Sequence, residues 1–260
     1  MDGGKKIKKL LSEKRGPMPE IYYYKTTDST NTRAKELARS RAAGVRCPAV
    51  FIAEEQTGGR GRLGRSFHSA RGGVYISFLI YPDTTAEKAT AITAYAAVML
   101  SAVVKRLTGC EPKIKWVNDL YLGGKKLAGI LTEGEIKEGG DLAFAVCGIG
   151  LNLSKSAIPE ELSDIATAID FETGASLDPN TVAAEIICEF FDNAPDFSSH
   201  EVLSEYKRLS LTLGSEVTVL SEPAYDGIAE EILPDYSLLV RGEGGERRVF
   251  SGEVSIKSLK

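Results

Sequence analysis

The sequence has little of what metal centres, disulfide frameworks or membrane anchors are built from. Its two histidines, His68 and His200, stand alone, and its four cysteines, Cys47, Cys110, Cys147 and Cys188, form no C-x-x-C pair. Zinc sites need clustered Cys and His ligands, so none is expected. The thiols read instead as reduced and mostly buried, as in a cytoplasmic protein. No apolar run is read as reaching the ~20 residues that cross a bilayer. The first residues, MDGGKKIKKLLSEKRG, are basic but lack the apolar centre of a signal peptide. There is no internal repeat and no excess of positive charge: 32 Lys and Arg stand against 36 Asp and Glu. A general nucleic-acid binder would be more basic.

What is present is an ordinary globular composition, 43% hydrophobic and 26% charged over 260 residues, sufficient for a core of normal size. Residues 1–19 read as a basic arm, either solvated or a short helix. Ser29-Thr30-Asn31 followed by 32–43 reads as a capped helix. Strands are expected at 50–53, 74–81 and 142–153, and also at 114–122, where Asn118-Asp119 interrupts the pattern. Gly123-Gly124 signals a hairpin into a partner strand over 126–133. Period-two alternation there places Lys126 and Ala128 on one face, opposite Leu127 and Gly129. Helices are expected at 86–107, 166–171, 181–191 and 201–209. From about Leu213 short β-type runs separated by turn residues suggest a small all-β appendage.

Two segments carry chemistry. The first is the loop Gly59-Arg60-Gly61-Arg62-Leu63-Gly64-Arg65. It satisfies G-x-G-x-x-G, but a strand follows it rather than a helix, which removes the dinucleotide reading. Walker A and kinase motifs are missing as well. Glycine lets backbone approach a ligand, and arginine presents a planar fork to phosphate or carboxylate oxygens. Such a loop suits a multiply charged anion; a solvated basic loop is the alternative. The second segment is Lys115-Trp116-Val117-Asn118-Asp119-Leu120 with Lys126 through Glu133. There a snorkelling lysine and a simple turn at Asn118-Asp119 remain open alternatives. Gly148 and Gly150, inside an apolar strand, suggest either close ligand approach or a barrel-like bend.

Taken together, Ser29-Thr30-Asn31, QTGGRGRLGR from Gln56, KWVNDL from Lys115, KLAGILTE from Lys126 and GIGLNL from Gly148 closely resemble the biotin–protein ligases. The resemblance spans roughly residues 22–155 in family order, and the last segment resembles that family's small SH3-like domain. It implies an α+β catalytic domain over 20–212, with a mixed sheet like that of class II aminoacyl-tRNA synthetases. A C-terminal SH3-like β-barrel would cover 213–260. It also implies ATP-dependent ligation of biotin to a lysine of a biotin carboxyl carrier protein through biotinyl-5′-AMP, with Mg²⁺ on the phosphates. No DNA partner is expected, because only about 20 residues precede the catalytic region, no membrane partner is expected for want of an apolar run of spanning length, and a homodimer is compatible.

By matching motif, Ser29, Thr30 and Asn31 are implied beside the biotin rings, and Gln56 near the bicyclic head or the carboxylate. Gly59, Arg60, Gly61, Arg62 and Arg65 would form the loop over biotin and adenylate. Phe67 stands where tryptophan is usual and would face adenine. Asn118 would reach the nucleotide, Lys126 the biotin carboxylate and α-phosphate, and Asn152 the adenine or ribose. Gly129 and Gly150 complete the binding set, with Arg62 and Lys126 as the catalytic pair. Val117 in place of the usual proline is expected to loosen the backbone before Asn118, and Leu63 in place of a frequent arginine removes one charge.

Overall fold

The computed structural model describes residues 3–13, 19–42, 44–192, 197, 199–250, 252 and 254–257. Seven strands form one sheet: β1 (Glu20–Tyr24), β2 (Ala49–Ala53), β3 (Gly73–Ile80), β4 (Lys113–Lys115), β5 (Asp119–Leu122), β6 (Lys125–Ile136) and β7 (Leu142–Asn152). Their order is β1-β2-β3-β7-β6-β5-β4. β1 and β2 are parallel and every other neighbouring pair is antiparallel, so the sheet is mixed as expected. β1 was not anticipated, since its EIYYY run has no alternation to mark it. The helix α2 (Thr30–Ser40) supplies the parallel crossover between β1 and β2.

Each face of the sheet has its own cover. One face of β3 and β7, including Ile76, Phe78, Cys147 and Ile149, joins a buried cluster with α3 (Ala89–Thr108), α5 (Pro179–Asp192) and α6 (His200–Leu209). The other face presents Leu79, Phe144 and Val146 to Ala34 of α2. The chemistry lies on this second face. Cys147 is fully buried, and burial pushes its thiol up to about 12, as a packed position requires. Cys47, Cys110 and Cys188 form no disulfide and are only half-buried, a correction to the expectation of mostly buried thiols. α3 is long and apolar enough to cross a membrane by length and composition, which the reading of the sequence missed, but most of it is buried inside the fold.

Four more expectations are corrected. The first is the solvated arm: α1 (Gly3–Ser12) buries Ile7 and Leu11 completely and packs along α5, with Lys6 paired to Asp178 at 3.0 Å. Its apolar residues recur at helical spacing, so one stripe finds a core even though the composition is basic. Residues 1, 2 and 14–18 of that arm lie outside the described residues. Leu11→Ala should therefore lower unfolding free energy by about 2–4 kcal/mol in urea titration; an unchanged midpoint would mean the helix is not docked.

The second concerns 114–122, which is not one interrupted strand. β4 turns back through Trp116–Asn118 into β5, with Lys115 opposite Asp119. The third is the helix expected at 166–171, which shifts to α4 (Ile169–Thr173).

The fourth is the barrel. β8 (Glu216–Val219), β9 (Tyr225–Ile232), β10 (Leu238–Gly242), β11 (Gly245–Val249) and β12 (Val254–Ile256) form an antiparallel sheet in the order β11-β10-β9-β8-β12. Among the described residues it does not close. Its apolar side chains, Val217, Ala229, Leu238 and Val240 among them, join the main buried cluster, so the sheet has a partner other than itself. Ser251 and Glu253, part of the Phe250-Ser-Gly-Glu-Val-Ser255 segment that ends the resemblance, lie outside the described residues.

Candidate functional site

The face of the sheet under α2 is stripped of side chains where β3, β7 and β6 run side by side. Ser77 opposes Gly148, and Gly150 lies between Tyr75 and Gly129. A cleft of about 380 Å³ opens over this floor. A Cβ at Gly148 would fall 2.2 Å from Asn31 Oδ1, and one at Gly150 2.5 Å from the Phe67 ring. Asn31 is fixed by its own hydrogen bonds, so glycine at 148 is a packing requirement, whereas a side chain at 150 would have to displace the Phe67 ring; close approach explains both glycines without a barrel bend.

The N-terminus of α2 forms one end. Ser29, Thr30 and Asn31 are buried and line the cleft. Ser29 occupies the cap position, yet its side chain caps nothing; Asp28 Oδ1 instead accepts from Ser29 N–H at 2.7 Å. Gln56 Oε1 accepts from Thr30 N–H (2.8 Å) and from the Thr30 hydroxyl (3.0 Å), while Gln56 Nε2 donates to Ser69 at 3.0 Å. Ser77 Oγ lies 2.7 Å from Thr30 Oγ1 and 2.6 Å from Asn31 Oδ1, its single proton shared between these two acceptors. Asn31 Nδ2 donates to Glu133 at 2.9 Å, and Lys35 pairs with the same carboxylate at 2.6 Å. This is a rigid bed of oriented amides and hydroxyls.

Burial alone would raise the Glu133 carboxyl, but hydrogen bonds from Lys35 and Asn31 outweigh it, with Arg60 adding charge, and hold it below the usual carboxylate range. A depressed folded value means that stability is present above the ordinary value of 4.5 and is lost as pH falls below it. Glu133→Gln should therefore flatten the fall of the urea midpoint between about pH 5 and pH 3. An unaltered slope would show that Glu133 contributes nothing to acid sensitivity.

The other end is cationic. Arg62, Arg65, Lys115 and Lys126 line the cleft there, with Arg60 nearer Glu133, against Asp119 as the sole carboxylate among the described lining residues. In a chain of net charge −4 this is a local inversion. The glycine–arginine loop closes on itself: Gly61 N–H donates to Arg65 O (2.7 Å), Phe67 N–H donates to Gly59 O (2.9 Å), and Leu63 takes the left-handed region at φ 54°. Arg62 donates to Asn118 Oδ1 at 3.3 Å. Asn118 and Ile130 are mutually bonded, through Ile130 N–H to Asn118 O (2.9 Å) and Asn118 Nδ2 to Ile130 O (2.8 Å). The Val117 carbonyl accepts from Tyr206 at 2.9 Å.

Lys126 pairs with Asp119 at 2.8 Å and lies 5.8 Å from the Phe67 ring centre. Its placement corrects the alternation read from sequence. A bulge between Leu120/Tyr121 and the facing Lys126 and Ala128 turns both Leu127 and Ala128 to the core, so Lys126 shares its face with Gly129.

Of the residues singled out from sequence, Gly59 and Asn152 do not line the cleft. Gly59 lies beneath it, where a Cβ would meet Phe67 O and Ser69 Oγ at 2.4 Å, and Asn152 Nδ2 donates to Thr167 O at 3.1 Å. Leu220 has no local sequence signal, and Gly252, Val254 and Ser255 belong to the Phe250–Ser255 segment that the family resemblance includes but does not assign to the site; together they bring the small C-terminal sheet to the rim. Among the described residues no group of three His, Cys, Asp or Glu gathers to hold a metal.

Residues 23–152 match the model of the biotin/lipoate A/B protein ligase family. The chain belongs to this family. It is 30% identical over 244 residues to the bifunctional ligase/repressor BirA of Bacillus subtilis, covering 91% of this chain and 74% of that protein. It is 32% identical over 234 residues to the biotin–[acetyl-CoA-carboxylase] ligase of Mycobacterium tuberculosis, covering 86% of this chain and 84% of that one. A biotin protein ligase from Aquifex aeolicus, solved in complex with biotin and ATP, superposes with a TM-score of 0.74 at 29% identity, over 92% of this chain and 99% of that one. For a family member, the two-ended cleft falls where the matched segments converge.

Proposed function

We propose that this chain activates biotin with ATP and transfers it to a lysine of a carrier protein, the carrier domain of acetyl-CoA carboxylase being the expected acceptor. The observation that carries this reading is the two-ended cleft. A bed of fixed amides and hydroxyls over glycine suits a polar bicyclic head on an apolar body, and five lining cations suit a triphosphate.

In the first step a biotin carboxylate oxygen attacks the α-phosphorus. The bond to the bridging β-oxygen breaks, and pyrophosphate leaves with the electron pair. Two anions must meet, and Lys126 and Arg62 offset their repulsion. Thr30, Asn31 and Gln56 orient biotin, Asn118 positions the nucleotide beside Arg62, and Phe67 presents a flat face above Gly150. In the second step the carrier amine attacks the acyl carbon of biotinyl-5′-AMP, AMP departs and the amine loses a proton. The loop 59–67 screens the mixed anhydride from water.

The lining residues do not form a resident metal centre, because Asp119 is engaged by Lys126. Magnesium would travel on the triphosphate oxygens. We place the reaction on residues 20–212, with 213–260 closing one side of the cleft. We place it in the cytoplasm, where ATP is available and thiols stay reduced. We expect no DNA binding, since a chain of net charge −4 lacks the general basicity of a nucleic-acid binder.

The test is ATP–pyrophosphate exchange with biotin and lipoate as alternative acids, followed by mass spectrometry for the acyl-AMP. Biotin alone should support exchange. Equal exchange with lipoate, or none with either, overturns the reading.

A further inference from the structure

The K-W-V-N-D segment supplies Lys115, Trp116, Asn118 and Asp119 to the cleft, but what holds it comes from far along the chain. Leu211 N–H donates to Ile114 O at 2.8 Å. Thr212 Oγ1 accepts from Trp116 N–H at 2.9 Å. The Trp116 indole N–H donates to Tyr236 O at 2.8 Å. The Tyr206 hydroxyl donates to Val117 O at 2.9 Å. Residues 114, 116 and 117 are thus held by α6, by the segment that follows it and by the turn between β9 and β10.

Trp116, Val117, Tyr206, Thr212 and Tyr236 are all at most 5% exposed, so water cannot replace these bonds. The Tyr206 and Tyr236 rings meet edge to face at 5.5 Å, joining α6 to the small sheet. Tyr206 does not line the cleft. It acts one residue away from Asn118, whose other side is tied to Ile130 and whose side chain meets Arg62.

We infer that Tyr206, together with the indole of Trp116, is a positioning element for the nucleotide half of the site. Through the Val117 carbonyl it fixes the height of Asn118 and so the meeting of Asn118 with Arg62, while the biotin half is set independently. That half rests on α2, Gln56, Ser77 and Gly148, none of which the clamp touches. The inference rests on the reading of Asn118 as a nucleotide contact.

The experiment is steady-state exchange kinetics on Tyr206→Phe, which keeps the ring and its contact with Tyr236 but leaves the Val117 carbonyl unpaired. Trp116→Phe and Asn118→Ala are measured beside it. Tyr206→Phe should raise KM for ATP by about 5–10-fold, with KM for biotin changed by less than about twofold, since one buried hydrogen bond is lost on one side only. Trp116→Phe should show the same split. Equal rises in both KM values, or a lowered melting temperature with neither KM changed, reduces Tyr206 to a purely structural residue and overturns the inference. If Tyr206→Phe fails to fold, Trp116→Phe decides alone by the same criterion. An Asn118→Ala variant with normal KM for ATP would sink the underlying reading of Asn118. A raised value there with an unaltered one in the clamp variants sinks only the clamp.

Discussion

Lys126→Ala is expected to slow biotin-dependent pyrophosphate exchange by about 10²–10³-fold while the protein remains folded. The lysine is the cation that the β6 bulge brings onto the open floor, one bulged turn from Gly129. A fixed donor aimed at developing charge in a water-poor site contributes about 3–4 kcal/mol to the transition state. Its resting partner is Asp119 at 2.8 Å, a pair whose side chains are 31% and 22% exposed. Loss of a partly solvated pair costs about 1 kcal/mol or less of stability, so activity should fall far more than the melting temperature. Exchange within about threefold of the unsubstituted protein would remove Lys126 from the chemistry. Lys126→Arg should recover only part of the rate, since a planar fork cannot occupy the position of a compact ammonium.

The second large effect is expected from a single added methyl group. Gly148→Ala should weaken biotin binding by at least about 100-fold in calorimetry, with a modest loss of stability. The new Cβ would sit 2.2 Å from Asn31 Oδ1 and 2.9 Å from its Cγ. Asn31 has no easy retreat: its oxygen accepts from Ser77 at 2.6 Å, and its amide nitrogen donates to Glu133 at 2.9 Å and to Leu131 O at 3.3 Å. Moving it breaks a buried network whose members cost about 1–3 kcal/mol each when left unpaired. The Ser77 hydroxyl and Thr30 would shift with it, because Ser77 Oγ also lies 2.7 Å from Thr30 Oγ1. Unchanged biotin affinity in a folded Gly148→Ala protein would separate the α2 end of the cleft from biotin recognition. Gly148 is a better probe than Gly150, whose obstacle is the Phe67 ring on a loop that can give way.

These two positions illustrate how far the chain could be read without coordinates. Gly148 and Lys126 both stood out as residues of the wrong kind for their surroundings, a glycine and an ammonium among Ile, Leu and Val. Local chemistry is enough for that, since a strand tolerates either only with a reason. The face on which Lys126 lies was read wrongly. Alternation assumes an unbroken ladder, and a bulge is set by the partner strand, here β5, which the sequence of β6 does not contain.

The sequence by itself determined the arginine–glycine loop, the isolated K-W-V-N-D segment, the element types over most of the chain and, through the joint match of several motifs, the family. Those are properties of short stretches, encoded by propensity, turn chemistry and side-chain charge. Tertiary structure alone decided three matters. It docked α1 through Ile7 and Leu11, although basic composition pointed to solvent. Among the described residues it left the C-terminal sheet open and placed Leu220, Val254 and Ser255 at the cleft. It also hung Trp116 and Val117 from residues roughly 90–120 positions away in the sequence. In each case the deciding term is burial against a distant surface. Such a gain depends on which apolar faces meet, and no local window records it.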